Sequence, residues 1–199
     1  MAPVLSSHPI FTPRLVLRPF RRRDINSIHE AVMASMDDLQ RWLPWASQDY
    51  SRAVSQHFIR DSVAAWSEGR AFDFTIRRKD EPDRHLGNVS IWHTSKQNAV
   101  GEIGYWVRSD ETGNGICTEA VAHLVRIGFA DLGLHRVTLR IAVGNSPSER
   151  IAEKLGFLHE GTLRDDVKIG THWVDHTIWG LLSNEWKVER ERYAAQAWM

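Results

Sequence analysis

The residues best placed to do chemistry lie between Glu102 and Val121, in the string EIGYWVRSDETGNGICTEAV. Gly113-Asn114-Gly115 separates an extended run that ends near Val107 from a helical pattern that starts at Ile116. Glycines at such a junction allow positive φ and let a ligand approach main-chain N–H groups without side-chain obstruction. A helix start adds roughly half a positive charge and several unpaired donors, so a pyrophosphate is the natural ligand. Taken alone the pattern is weak, because a turn glycine before a helix also serves purely structural ends. Two rival phosphate loops are ruled out. The Gly-x-x-x-x-Gly-Lys-Ser/Thr string is absent, and the dinucleotide fingerprint would need Gly or Ala at 118, where Thr118 stands.

A second informative segment is Asn145-Ser146-Pro147-Ser148-Glu149. It reads as a helix start with Ser146 as N-cap, Pro147 at the first position and Glu149 completing a capping box, which leaves Ser148 without a capping duty. The single cysteine, Cys117, reads as a small packing residue rather than a nucleophile.

These segments need elements to position them. Thr12 to Arg18 alternates apolar with polar and is stopped by Pro19, which predicts a first strand. Ile25, Ile28, Val32 and Met36 fall at helical spacing behind a capping Asp24, and a second helix runs from about Ser51 to Trp66. Between them LQRWLPWASQDY forms an aromatic loop. Strands over 72–76, 86–92 and 100–107 read as an antiparallel meander. Ile116, Ala120, Val121, Leu124, Val125 and Phe129 give one broad apolar helical face. Strand 136–143, helix 146–155, strands 157–163 and 172–182, and a charged helix over 184–197 follow. The expected class is α+β or mixed α/β, a sheet with helices on its faces. A tail at 1–11, one domain at 12–183 and a terminal helix or tail at 184–199 are the expected divisions.

Composition narrows the function classes. Lys plus Arg number 25 and Asp plus Glu 25, so no global field would draw the chain to nucleic acid or an anionic membrane. One cysteine excludes an internal disulfide and, without paired Cys/His spacing, a thiolate zinc site. A reducing cytoplasm fits best. The N-terminus lacks the order of a signal peptide, and no apolar run approaches the ~20 residues needed to span a bilayer. His172 and His176 on one strand would stand about 13 Å apart, too far to share a metal. Arg21 to Arg23 read as a solvated turn.

The segments AVGEIGYWV, GNGICTEA, RVTLRIAVGNSPSERIAEKLGFLHEGTLRD and HWVDHTIWGLL, in that order, resemble the GNAT acetyltransferases, specifically the RimJ/RimL-type branch that acts on protein N-termini. The resemblance runs from about Pro13 to Trp186. It implies a mostly antiparallel sheet splayed between two parallel strands, here those ending at Val107 and Val143, with acetyl-CoA as cosubstrate and no metal. The pantetheine arm would follow the strand edge at Trp106 and Val107, and the loop Thr112, Gly113, Asn114, Gly115, Ile116, Cys117 and Thr118 would hold the diphosphate. The family loop is usually Gln/Arg-x-x-Gly-x-Gly/Ala. Thr112 and Cys117 depart from it at its first and last positions, while main-chain donation survives.

By the same resemblance Ser148 would protonate the CoA thiolate, a role other branches give to a tyrosine four positions later, where this chain has Ala152. Asn145 would contact pantetheine. Glu102 is the expected base, with Asp165, Asp166, Asp175 and a water as rivals. Trp42, Trp45 and Asp166 would wall the acceptor pocket. The leading acceptor is a protein or peptide α-amine, with a small amine as the second reading and a catalytically weak CoA-binding module as the third. The terminal helix would pack on the domain or on a second copy in a homodimer.

Overall fold

The computed structural model describes residues 5–198. Residues 1–4 of the expected tail and Met199 lie outside the described residues. Eight strands form one sheet: β1 Ile10–Phe11, β2 Leu15–Pro19, β3 Ala71–Arg78, β4 Gly87–Ser95, β5 Val100–Val107, β6 Arg136–Ala142, β7 Leu158–Ile169 and β8 His172–Leu182. The helices are α1 Ile25–Met33, α2 Met36–Leu39, α3 Arg52–Ser67, α4 Ile116–Arg126, α5 Ser146–Lys154 and α6 Ser183–Ala195. The strand order is β1-β2-β3-β4-β5-β6-β8-β7. Every neighbouring pair is antiparallel except β5 and β6.

Strand alternation sorts the side chains onto two faces. Leu15 and Leu17 of β2, Phe72, Phe74 and Ile76 of β3, Val89 and Ile91 of β4 and Ile103 of β5 meet the apolar face of α4 in the larger core. Ala152 of α5 and Trp186 and Tyr193 of α6 join the same core, and the Tyr193 hydroxyl donates to the Leu155 carbonyl at 2.6 Å. Through Trp186 and Tyr193, α6 packs against this core. Ile10 and Phe11 pair with Leu17 and Val16 at the sheet edge.

A smaller core lies on the opposite face. Ile28, Ala31 and Val32 of α1, Met36 and Leu39 of α2, Ile59 of α3 and Tyr50 close over Trp106 of β5. Beneath α1, Asp24 does not cap the helix with its side chain. Its carboxylate instead accepts two 2.7 Å bonds from Arg18, one of 3.1 Å from Arg77 and one of 2.7 Å from the Arg21 amide. Two buried guanidiniums compete more strongly for that carboxylate than a helix end could.

The parallel pair is where the sheet opens. β5 and β6 are joined only at Val100–Arg136, Gly101–Val137 and Glu102–Thr138. Beyond these positions β5 stays with β4 as far as Val107, and β6 stays with β8 as far as Ala142. The two strands diverge into a wedge, as the splayed sheet expected from the sequence requires.

Candidate active site

The wedge has a phosphate-type cradle at its outer end. Gly113 and Gly115 adopt φ of +79° and +75°, the left-handed region that side chains disfavour. Gly115 is the N-cap of α4, and the first bond of the helix runs from the Glu119 amide to the Gly115 carbonyl. The amides from Gly115 to Thr118 have no intrahelical partner at a helix start. Salt bridges hold this loop from outside. Glu111 is paired by Arg78 at 2.7 Å and Arg84 at 2.8 Å. Arg14 bonds the Asn114 carbonyl at 2.9 Å and Glu119 at 2.7 Å.

Two loop side chains turn away from the cradle. Thr112 turns its hydroxyl and its amide back to the Ser109 carbonyl, at 2.9 and 3.4 Å, so its donors face away from the cradle. Cys117 is 8% exposed, and burial pushes its thiol up to about 12. It packs under the loop. A thiol titration with an aromatic disulfide reagent is expected to find it silent in native protein and reactive after denaturation. Rapid native reaction would contradict this placement.

Inside the wedge the main-chain groups of both strands are open. The Ala99 carbonyl accepts from His135 and Arg136 on the β6 side, whereas the Arg108 amide donates to Leu86 on the β4 side. By alternation, Ile103, Tyr105 and Val107 turn their amides and carbonyls into the gap. Val107 is thus on the open edge. Trp106, expected beside the cofactor, is not: its main chain faces β4 and its indole lies in the smaller core. An open edge of this kind can pair an extended amide-containing chain as an added strand would.

At the mouth of the wedge stand two hydroxyls. Tyr105 Oη lies 2.7 Å from Ser148 Oγ, bringing β5 and α5 together. Burial raises the Tyr105 phenol above its ordinary value despite the opposing bond to Ser148, so it stays protonated and able to donate. Asn145, not Ser146, caps α5: its side chain accepts from the Ser148 amide at 3.3 Å and Pro147 falls in the first turn. The expected Ser146–Glu149 box is therefore absent. Ser148 spends its amide on the cap and keeps its hydroxyl for Tyr105. In the sequence Tyr105 is marked only as the polar exception between Ile103 and Val107 on a core-facing strand side.

The wedge opens into an aromatic cleft of about 760 Å³ whose charged lining is Asp73, Glu102 and Arg140, with His176 beside them. Glu102 reaches Arg140 at 3.5 Å, and Arg140 reaches Asp166 at 3.2 Å. Asp166 lies 3.6 Å from His176 Nδ1, which also faces the Val174 carbonyl at 3.3 Å. Burial raises the Glu102 carboxyl, Arg140 opposes the rise and the Asp166 charge adds to it, with a net upward shift. Glu102, Arg140 and His176 line the cleft, as do Trp42, Trp45, Asn145 and Ser148. Asp166 stands behind Arg140 and His176. Asp165 instead donates its amide to Asp175 in the distal hairpin, so neither shares this cluster. His176, Arg140 and Asp73 carry no motif, and only the fold brings them to the cleft.

A splayed parallel pair beside an open glycine loop is the arrangement that the resemblance to the GNAT acetyltransferases implies. The family model described as an acetyltransferase (GNAT) domain matches residues 14–158, and the chain belongs to that family. It is an N-acetyltransferase. Among curated relatives, the uncharacterized N-acetyltransferase p20 of Bacillus licheniformis is 34% identical over 89% of this chain and 97% of its own length. The putative ribosomal N-acetyltransferase YdaF of Bacillus subtilis is 29% identical over 88% and 95%. Among solved structures, Mycobacterium smegmatis RimJ in complex with CoA-disulfide superposes with a TM-score of 0.82 at 27% identity, covering 95% of this chain and 93% of its own. Among the described residues no helix is long and apolar enough to cross a membrane.

Proposed function

We propose that the chain uses acetyl-CoA and transfers the acetyl group directly to a primary amine, foremost the α-amine of a protein or peptide N-terminus. The observation that carries this reading is the wedge between β5 and β6, which connects the open loop and the Tyr105–Ser148 pair to the aromatic cleft that holds Glu102. The relatives named as ribosomal-protein acetyltransferases support a protein as acceptor.

The residues fit the group. Amides at 113 and 115–118 suit a diphosphate, and the open groups of Tyr105 and Val107 suit the amides of pantetheine. Bound acetyl-CoA supplies an activated thioester at the wedge. The amine nitrogen forms the new C–N bond as the C–S bond breaks. Ser148 holds a hydroxyl proton for the departing sulfur, and Tyr105 holds the Ser148 hydroxyl in place. Glu102, directly or through a water, receives the proton the amine must lose. The Tyr105–Ser148 pair also weighs against a module that binds CoA without turnover, since such a module needs no hydroxyl at the sulfur.

A base must be ionised to act, and Glu102 is ionised only above its raised pKa. Values of kcat/KM are therefore expected to fall as pH drops through a limb above the ordinary carboxylate range. Glu102→Gln is expected to remove that limb and to lower kcat/KM by about 10- to 100-fold. A pH profile unchanged in the Gln variant would assign the proton to another acceptor.

A further inference from the structure

The face of the sheet that meets the acceptor is a grid. Asp73, Ser90 and Gly104 lie side by side across β3, β4 and β5. On one side of this small, polar row stands Trp106, beside Asn88, and on the other Trp92, beside Glu102. Gly104 makes room for the Trp92 indole, which lies across it: a Cβ there would come within 3.0 Å of the Trp92 ring. Over the row, the loop between α2 and α3 brings Trp45, 40% exposed, to within 6.0 Å of the Trp106 ring. The Trp92 indole thus forms the floor of a slot whose buried wall is Trp106 and whose open wall is Trp45, with carboxylates at Asp73 and Glu102.

An aromatic ring left open at a cleft, as Trp45 is, buries apolar ligand surface. Carboxylates at the ends of an apolar slot hold a cation, and indole faces attract one further. A small first residue such as Ala or Ser would leave the ring walls unfilled.

Resting on the transferase reading above, we propose that this slot selects a primary amine bearing a large apolar or aromatic group on the carbon next to the ammonium. A peptide that begins with Phe or Leu presents that chemistry, and so does a small aromatic amine.

The test is thiol release from acetyl-CoA with hexapeptides that differ only in their first residue, Phe, Leu, Ala or Ser, together with phenylalaninamide and alaninamide. The Phe and Leu peptides are expected to exceed the Ala and Ser peptides in kcat/KM by about tenfold or more. Trp45→Ala, at an exposed position, is expected to shrink that ratio toward one while CoA affinity stays unchanged. Phenylalaninamide matching the Phe peptide would place the recognised unit in the small amine, and phenylalaninamide far below it would place it in a longer chain; both support the slot. Equal or better turnover of the Ala and Ser peptides would overturn the proposal and leave the transferase intact. No turnover on any acceptor by protein that still binds CoA would instead overturn the transferase reading on which it rests.

Discussion

Replacing Ser148 with alanine is expected to lower kcat by about 10²-fold, with CoA affinity within about twofold of the wild type. The helix cap survives the change, because Asn145 accepts from the Ser148 amide and not from its hydroxyl. What disappears is the one oxygen that Tyr105 holds at 2.7 Å at the mouth of the wedge. Tyr105→Phe leaves Ser148 without that partner, and a smaller loss of about tenfold is expected, in kcat rather than KM. Burst kinetics would separate this step from acceptor binding. Full kcat in the Ser148 variant would remove the serine from the chemistry and turn attention to Tyr105 or a water.

Asp24→Ala is expected to cost about 3–5 kcal/mol of stability, because it strands two buried guanidiniums. Arg18 and Arg77 both bond Asp24, and the Asp24 and Arg77 side chains are 3% and 4% exposed. For a chain of this size that corresponds to a fall in Tm on the order of 10 °C. Burial alone would raise the Asp24 carboxyl, but bonds from Arg18 and the Arg21 amide, with the charges of Arg18 and Arg77, hold it below the usual carboxylate range. A carboxyl depressed in the folded state contributes stability above the unfolded pKa of about 3.9, which is lost as pH falls through the folded value. Wild-type protein should therefore lose stability below about pH 4 along a limb that Asp24→Ala lacks. A variant melting like the wild type would show that solvent reaches the arginines.

The elements nearest the chemistry were readable in the sequence because local pattern and local structure agree there. The change from alternation in 100–107 to helical spacing after Ile116 put the glycine loop where it is, and the order of strands and helices followed. Short or irregular pieces escaped. Ile10–Phe11 is too brief to show a period, and β7 runs to Ile169, past the expected Leu163, because register shifts near Gly161 and between Leu163 and Val167 break its alternation. At 145–149 two adjacent residues could each cap a helix, and which one does is decided by side-chain reach.

The site itself was legible only in part. Glycine loop, Ser148 and Glu102 sit in recognisable strings. The cluster of Glu102, Arg140, Asp166 and His176 draws on three further strands, and the Arg14 brace on Asn114 joins residues 100 positions apart. Such contacts are created by the sheet order, which no local period encodes. Trp106 shows the reverse case, where a residue in the right string faces the wrong way because strand alternation assigns it to the other side.

The most direct measurement is calorimetric titration of the native protein with acetyl-CoA and with acetyl-pantetheine, which lacks the diphosphate. Main-chain capture of the diphosphate at 113–118 predicts saturable heat with acetyl-CoA and affinity weaker by about tenfold or more for acetyl-pantetheine. Absence of heat with acetyl-CoA at millimolar concentration, or equal affinity for the two thioesters, would contradict it.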